Sequence, residues 1–121
     1  MYSRQLLERF HAPRWVGDLA APSAVGTEGD PTCGDVIEIA IEVTDEVIRA
    51  ARFRTFGCVV AIAASDAICE VITGLSLTGA RMLGADEIHA VLGGVPEDRI
   101  SCVVAPLAAL RSALARLGLG L

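Results

Sequence analysis

The chain has 121 residues, about the length of one domain, and 53% of them are hydrophobic, enough for a core in a chain that still buries a smaller share of its surface than a larger one would. Its net charge is −5, all ten basic residues are arginine, and aromatic residues make up only 4%. Such a chain lacks both the positive patch that phosphates require and the aromatic faces on which bases stack, which argues against a nucleic-acid-binding role.

Ser3 is placed to cap a short amphipathic helix reaching Phe10, with Leu6, Leu7 and Phe10 on one face and Pro13 as its stop. From Gly17 to Pro31 the chain is rich in small residues, Gly and Pro, and reads as irregular, with room for one short edge strand. Ile37, Ile39, Ile41 and Val43 then alternate with Val36, Glu38, Ala40 and Glu42, a period of two. Asp45 and Glu46 make a turn, and alternation resumes from Val47 to Phe56, so the two runs predict an antiparallel hairpin buried on one face. Arg49, Arg52 and Arg54 form its solvated face or a surface that meets an acidic partner.

Gly57 ends the sheet. Cys58 to Thr73 is helical in pattern, rich in Ala and Ile, with Asp66 and Glu70 four residues apart and Gly74 as a natural terminator. Short helices are expected at Leu77–Leu83 and Asp86–Leu92, then a loop through Gly93, Gly94 and Pro96. The last helix is expected from Cys102 to Leu117, with Leu107, Leu110, Leu114 and Leu117 on one stripe. His11 and His89 stand beside no cysteine motif and read as surface or packing residues. No repeat or linker interrupts the chain. The prediction is a single α+β domain over residues 1–121: a small antiparallel sheet of about three strands against several helices, a long C-terminal helix, an N-terminal helix and Pro-Arg segment in residues 1–17, and the site at one end.

The longest apolar run, Cys58–Ala64, is far short of the roughly 20 residues that span a membrane. MYSRQLLERF carries charges throughout and lacks the apolar centre of a signal peptide. A cytoplasmic location follows as the expectation. Thiols are reduced there, so the four cysteines read as metal-binding, reactive or core thiols rather than disulfides.

Cys33 lies in Pro31-Thr32-Cys33-Gly34-Asp35. Residues two apart in extended chain point the same way, so Cys33 and Asp35 can face one site, and Gly34 lets backbone pass close to it. Asp35 also fits a turn or a cap. Cys58 and Cys102 fall at predicted helix N-termini, where free N–H groups and the helix dipole favour negative ligand atoms. Cys69, eleven residues beyond Cys58, lies ~16 Å further along the same helix and reads as a buried structural thiol. Spacing alone leaves two readings open for the other three: isolated core cysteines, or a shared metal site.

Several segments together resemble the U-type (IscU/NifU-like) family of iron–sulfur cluster assembly scaffolds. They are Tyr2-Ser3, Pro13-Arg14-Trp15-Val16-Gly17 (with Trp15 where the family has Asn), Pro31-Thr32-Cys33-Gly34-Asp35, Arg52-Phe53-Arg54-Thr55-Phe56-Gly57-Cys58, Ala61 to Ser65 with Gly74, and Ser101-Cys102. They run in the family's order over nearly the whole chain. The resemblance implies a protein that assembles a [2Fe–2S] cluster from Fe2+ and sulfur supplied by a cysteine desulfurase, then hands it to acceptor apo-proteins. It implies Cys33, Asp35, Cys58 and Cys102 as cluster and metal ligands, Zn2+ in the cluster-free form, and Cys102 as the thiol that accepts persulfide sulfur. A frataxin-like protein and a ferredoxin are further partners in such a system. Thiolates are soft ligands suited to iron and zinc, and a carboxylate is a harder, weaker fourth partner that suits a cluster meant to be released.

Two departures bear on function. Ser101 stands where many members have a His before the last cysteine. A zinc-binding branch associated with sulfur transfer also lacks that His, although its members usually carry an insertion that this chain does not. The Leu-Pro-Pro-Val-Lys segment used to dock an Hsp70-type chaperone reads Val95-Pro96-Glu97-Asp98-Arg99, which puts that docking in doubt. Three roles follow: a scaffold and carrier rather than a turnover enzyme, a zinc-bound persulfide acceptor that relays sulfur, or a relative that binds zinc only.

Overall fold

Ile37, Ile39 and Ile41 are at most 1% exposed, whereas the intervening Glu38 and the following Glu42 are half-exposed, so the period-two pattern buries one face. These residues form β2 (Asp35–Thr44), the central strand of a three-stranded antiparallel sheet with β1 (Ala24–Asp30) on one side and β3 (Val47–Phe56) on the other. The structure, a computed structural model, describes residues 2–30 and 35–118, with Asp30 and Asp35 by their backbone alone. Cys33 is outside the described residues, as is the side chain of Asp35.

The expected edge strand is a full partner of β2, paired from Ala24↔Ile41 to Asp30↔Asp35. The hairpin turns through Asp45 and Glu46 at φ 53° and 61°, a left-handed pair that ordinarily favours Asn and Gly. A register shift between Glu42 and Val43 breaks the alternation expected in β3, whose inward side chains are Ile48, Ala51 and Phe53. The outer edge of β3 is covered at both ends. Phe53 donates its N–H to the Trp15 carbonyl and accepts from the Gly17 N–H, at 3.0 and 2.9 Å. Ile48 makes the same exchange with Leu75 and Gly74, at 2.9 and 2.8 Å. Neither end of that edge is left open to another strand.

Helix α2 (Val59–Ile72) is buried on most of its circumference because the sheet, α1 (Arg4–His11) and α5 (Ser101–Arg116) surround it. Ser3 caps α1 by accepting from the Leu6 N–H at 3.0 Å, and its hydroxyl donates to the Leu92 carbonyl, tying the start of α1 to the far side of the fold. Helices α3 (Leu77–Arg81) and α4 (Ala85–Val91) are both present, α3 two residues shorter than the pattern suggested. A 3-10 turn, Glu97–Arg99, leads into α5, which begins at Ser101, one residue before the expected start. Helix α5 crosses β1 so closely that a Cβ on Gly26 would lie 1.9 Å from the Ala109 carbonyl oxygen. No described helix is long and apolar enough to cross a membrane.

Candidate functional site

Cys58 comes to the surface because β3 ends at Phe56 and α2 starts at Val59, leaving Gly57 and Cys58 to make the junction. Its backbone is extended (φ −75°, ψ 165°), and its Sγ accepts from the Ala61 N–H at 3.4 Å. Sulfur thus takes the capping position usually held by Ser, Thr or Asp. Cys102 sits in the first turn of α5, again at the positive end of a helix. One turn later stands Pro106, buried, with no N–H to donate to the Cys102 carbonyl.

Both thiols are half-buried and line one cavity of about 840 Å³ between the sheet and the starts of α2 and α5. Ile37, Ala61 and Ala105 give it an apolar floor, while Glu28, Asp98, Arg99 and Ser101 bring polar groups to its wall. Gly29 lines it as well. Beyond it the chain passes through Asp30, whose backbone pairs with that of Asp35, and Cys33 falls between the two, outside the described residues. Two of the four expected ligands, Cys58 and Cys102, are therefore brought to one place from segments 44 residues apart, counting from 58 to 102. Among the described residues no three His, Cys, Asp or Glu side chains cluster as a metal site.

Cys69 is fully buried in α2. Burial pushes its thiol up, the charge of Asp66 adds to the rise, and Arg52 opposes it, so Cys69 stays a protonated core thiol. His11 is exposed. His89 is half-buried, its Nε2 has no hydrogen-bond partner among the described residues, and it does not line the cavity.

The charge pattern hid a second cluster. Asp66 interrupts the apolar run of α2, and its side chain is 2% exposed. It accepts from Arg9 Nη1 at 2.9 Å and from the Arg14 and Trp15 N–H groups at 2.8 and 2.9 Å. Glu70, one turn on, accepts from Arg9 Nη1 at 3.2 Å and Trp15 Nε1 at 3.4 Å. Burial pulls the Arg9 guanidinium down, but its bonds and charge pairing with Glu70 and Asp66 outweigh that and raise it. The strand arginines are not simply solvated. The Arg52 guanidinium lies 5.3 Å from the centre of the Trp15 ring, and Arg54 holds both carboxylate oxygens of Asp18 at 2.6 Å. These contacts fasten residues 14–18 beside the strand that delivers Cys58. The sequence signal was the acidic pair Asp66 and Glu70 inside an otherwise apolar helix, which calls for a cation.

Residues 1–117 match the family described as the NifU-like N terminal domain. Iron-sulfur cluster assembly scaffold protein IscU 1 of Archaeoglobus fulgidus is 38% identical over 114 residues, covering 94% of this chain and 74% of that protein. The scaffold protein IscU of Aquifex aeolicus is 38% identical over 115 residues, covering 93% of this chain and 73% of that protein. Among solved structures, the N-terminal part of a nitrogen-fixing NifU-like protein from Brucella abortus has a TM-score of 0.78, covering 96% of this chain and 93% of that one, at 18% identity, a likeness of fold.

Proposed function

We propose that this chain, which belongs to the family of NifU-like N-terminal domains, is a scaffold on which an iron–sulfur cluster is assembled and from which it is passed on. The observation that carries this reading is the opening of Cys58 and Cys102, from two different helix starts, onto one cavity. Relatives at 38% identity are named as scaffolds of this kind. The cluster is cargo, so the protein acts as a carrier rather than a turnover enzyme.

In finer detail, the cargo is a [2Fe–2S] cluster held by Cys33, Cys58 and Cys102, with Asp35 as the fourth, oxygen ligand. Three thiolates supply the soft donors that iron favours. The helix-start positions of Cys58 and Cys102 place free N–H groups near the anionic sulfur. The partners are a cysteine desulfurase that supplies sulfur, received at Cys102, and acceptor apo-proteins that take the finished cluster, with a frataxin-like protein and a ferredoxin as accessories. Chaperone docking is not part of this reading, because Glu97, Asp98 and Arg99 form a 3-10 turn that puts two carboxylates into the segment. The reading places the protein in the cytoplasm, with residues 1–121 forming a single scaffold domain.

A second reading follows from Ser101, which is exposed on the cavity wall where an imidazole would add a nitrogen ligand. Without it, the same four residues suit a tetrahedral Zn2+ site with three sulfurs and one oxygen. The chain would then relay persulfide sulfur from Cys102.

One experiment separates them. Metal-free protein is incubated anaerobically with Fe2+, cysteine and a cysteine desulfurase, beside Cys33→Ser, Cys58→Ser and Cys102→Ser variants. Visible spectra, iron and acid-labile sulfide are measured per chain, and transfer to an apo-ferredoxin is followed. The scaffold reading expects a transferable [2Fe–2S] spectrum that each substitution weakens or abolishes. Tight zinc binding and a Cys102 persulfide without a cluster would overturn it in favour of the relay.

A further inference from the structure

We propose that Arg99, steered by Tyr2, is a positioning residue that provides the counter-charge for the anionic cargo in the Cys58–Cys102 cavity and so sets how tightly that cargo is held. The proposal rests on the scaffold reading.

Arg99 ends the 3-10 turn three residues before Cys102 and lies on the cavity wall. Among the described lining residues it is the only cation, beside the carboxylates Glu28 and Asp98. Its guanidinium interacts with the side chain of Tyr2, near the start of the chain, and that interaction is the largest influence raising it above the ordinary arginine value. Tyr2 in turn lies against the loop that leads into the turn, sharing a groove with Val95 and Pro96, and Ser3 bonds the Leu92 carbonyl. The N-terminal residues thus fix the loop from which Arg99 projects.

Helix stability does not account for this cation. Arg99 precedes α5, where the macrodipole is positive and an acidic residue is favoured. What does account for it is the charge of the cargo. A [2Fe–2S] core ligated by three thiolates and a carboxylate carries net negative charge, and one unit more after one-electron reduction. A cation on the wall stabilises both states and the reduced one more, which raises the potential and slows loss of the cluster. Arg99 is exposed, so the effect is screened and modest, about two- to fivefold in rate.

The test uses the full chain reconstituted anaerobically with Fe2+, cysteine and a desulfurase. Parent, Arg99→Gln, Arg99→Lys and Tyr2→Phe proteins are compared by midpoint potential and by half-time of transfer to apo-ferredoxin, at low and high salt. Arg99→Gln is expected to lower the potential, speed transfer about two- to fivefold and weaken its dependence on salt. Arg99→Lys restores all three, and Tyr2→Phe falls between. Parental potential and transfer rate in Arg99→Gln overturn the proposal while leaving the scaffold reading intact, and so does failure of Lys to rescue. Should Arg99→Gln not fold, salt-independent transfer in the parent overturns it just as well. Failure of the parent itself to form a cluster overturns the scaffold reading and this proposal together.

Discussion

Asp66 and Arg9 form an ion pair at 2.9 Å that joins the interior of α2 to α1, with the carboxylate 2% and the guanidinium 17% exposed. The same carboxylate accepts from two backbone N–H groups, so three donors depend on one residue. Asp66→Ala leaves two amides without their acceptor and strips the largely buried Arg9 guanidinium of its nearer carboxylate, with only the half-exposed Glu70 remaining. The expected loss is about 3–5 kcal/mol in urea-denaturation experiments. Asp66→Asn, which keeps an acceptor oxygen, is expected to lose less.

Acid stability should carry the signature of the neighbouring Glu70. Hydrogen bonding from Arg9 lowers its carboxyl below the ordinary 4.5, with Arg9's charge, the Trp15 hydrogen bond and Arg14's charge acting the same way, against partial burial. A carboxylate depressed in the folded state contributes stability above its unfolded value, and that contribution disappears as pH falls through the folded value. Stability therefore declines below about pH 4.5, and Glu70→Gln is expected to flatten that decline. Since 44% of the Glu70 side chain is exposed, solvent screens the pair and the change should be at most about 0.5 kcal/mol. Thermal melts in steps from pH 6 to pH 3 read it directly.

Gly26 is the point where β1 and α5 touch backbone to backbone. A Cβ there would stand 1.9 Å from the Ala109 oxygen and 2.5 Å from the Ala113 nitrogen, atoms that cannot rotate aside. Gly26→Ala is expected to displace α5 at a cost of about 1–3 kcal/mol. Because α5 carries Cys102, the variant should also bind Zn2+ more weakly than the parent, measured by competition with a chromogenic chelator.

How far the sequence could be read depended on the range of the interaction. The hairpin was legible because Ile and Glu alternate along β2, a purely local signal. Strand β1, Ala24–Asp30, was barely legible, since two glycines, two acids and an alanine carry little strand propensity, and pairing with β2 supplies what they lack. Cys58 and Cys102 were placed at helix starts by their flanking residues, but that both open onto one cavity depends on how α5 packs, a non-local fact. The links from Asp66 to residues 9, 14 and 15 and from Arg99 to Tyr2 join distant parts of the chain, and only the acidic pair within the apolar α2 hinted at the first.

Zinc removal tests the metal reading without any cluster chemistry. A closed zinc site binds the folded chain and not the unfolded one, so occupancy adds to stability by mass action. Chelation of the zinc form is expected to lower Tm by about 5–10 °C. In Cys58→Ser and Cys102→Ser the chelator should produce little or no shift. An unchanged Tm in the parent would mean that no metal closes this site.

Asp35 bears on release. A scaffold must give up what it builds, and an oxygen ligand holds cluster iron less firmly than a fourth thiolate does. On the proposed ligand set, Asp35 is the position at which an acceptor's thiolate enters, because displacing a carboxylate costs less than displacing a sulfur. Asp35→Ala is therefore expected to form the cluster but transfer it more slowly, roughly tenfold, since the site must then close with a ligand the acceptor cannot so readily displace. Transfer half-times to an apo-ferredoxin measure this. A variant that transfers as fast as the parent would show that lability arises elsewhere, with the counter-charge at Arg99 as the next residue to examine.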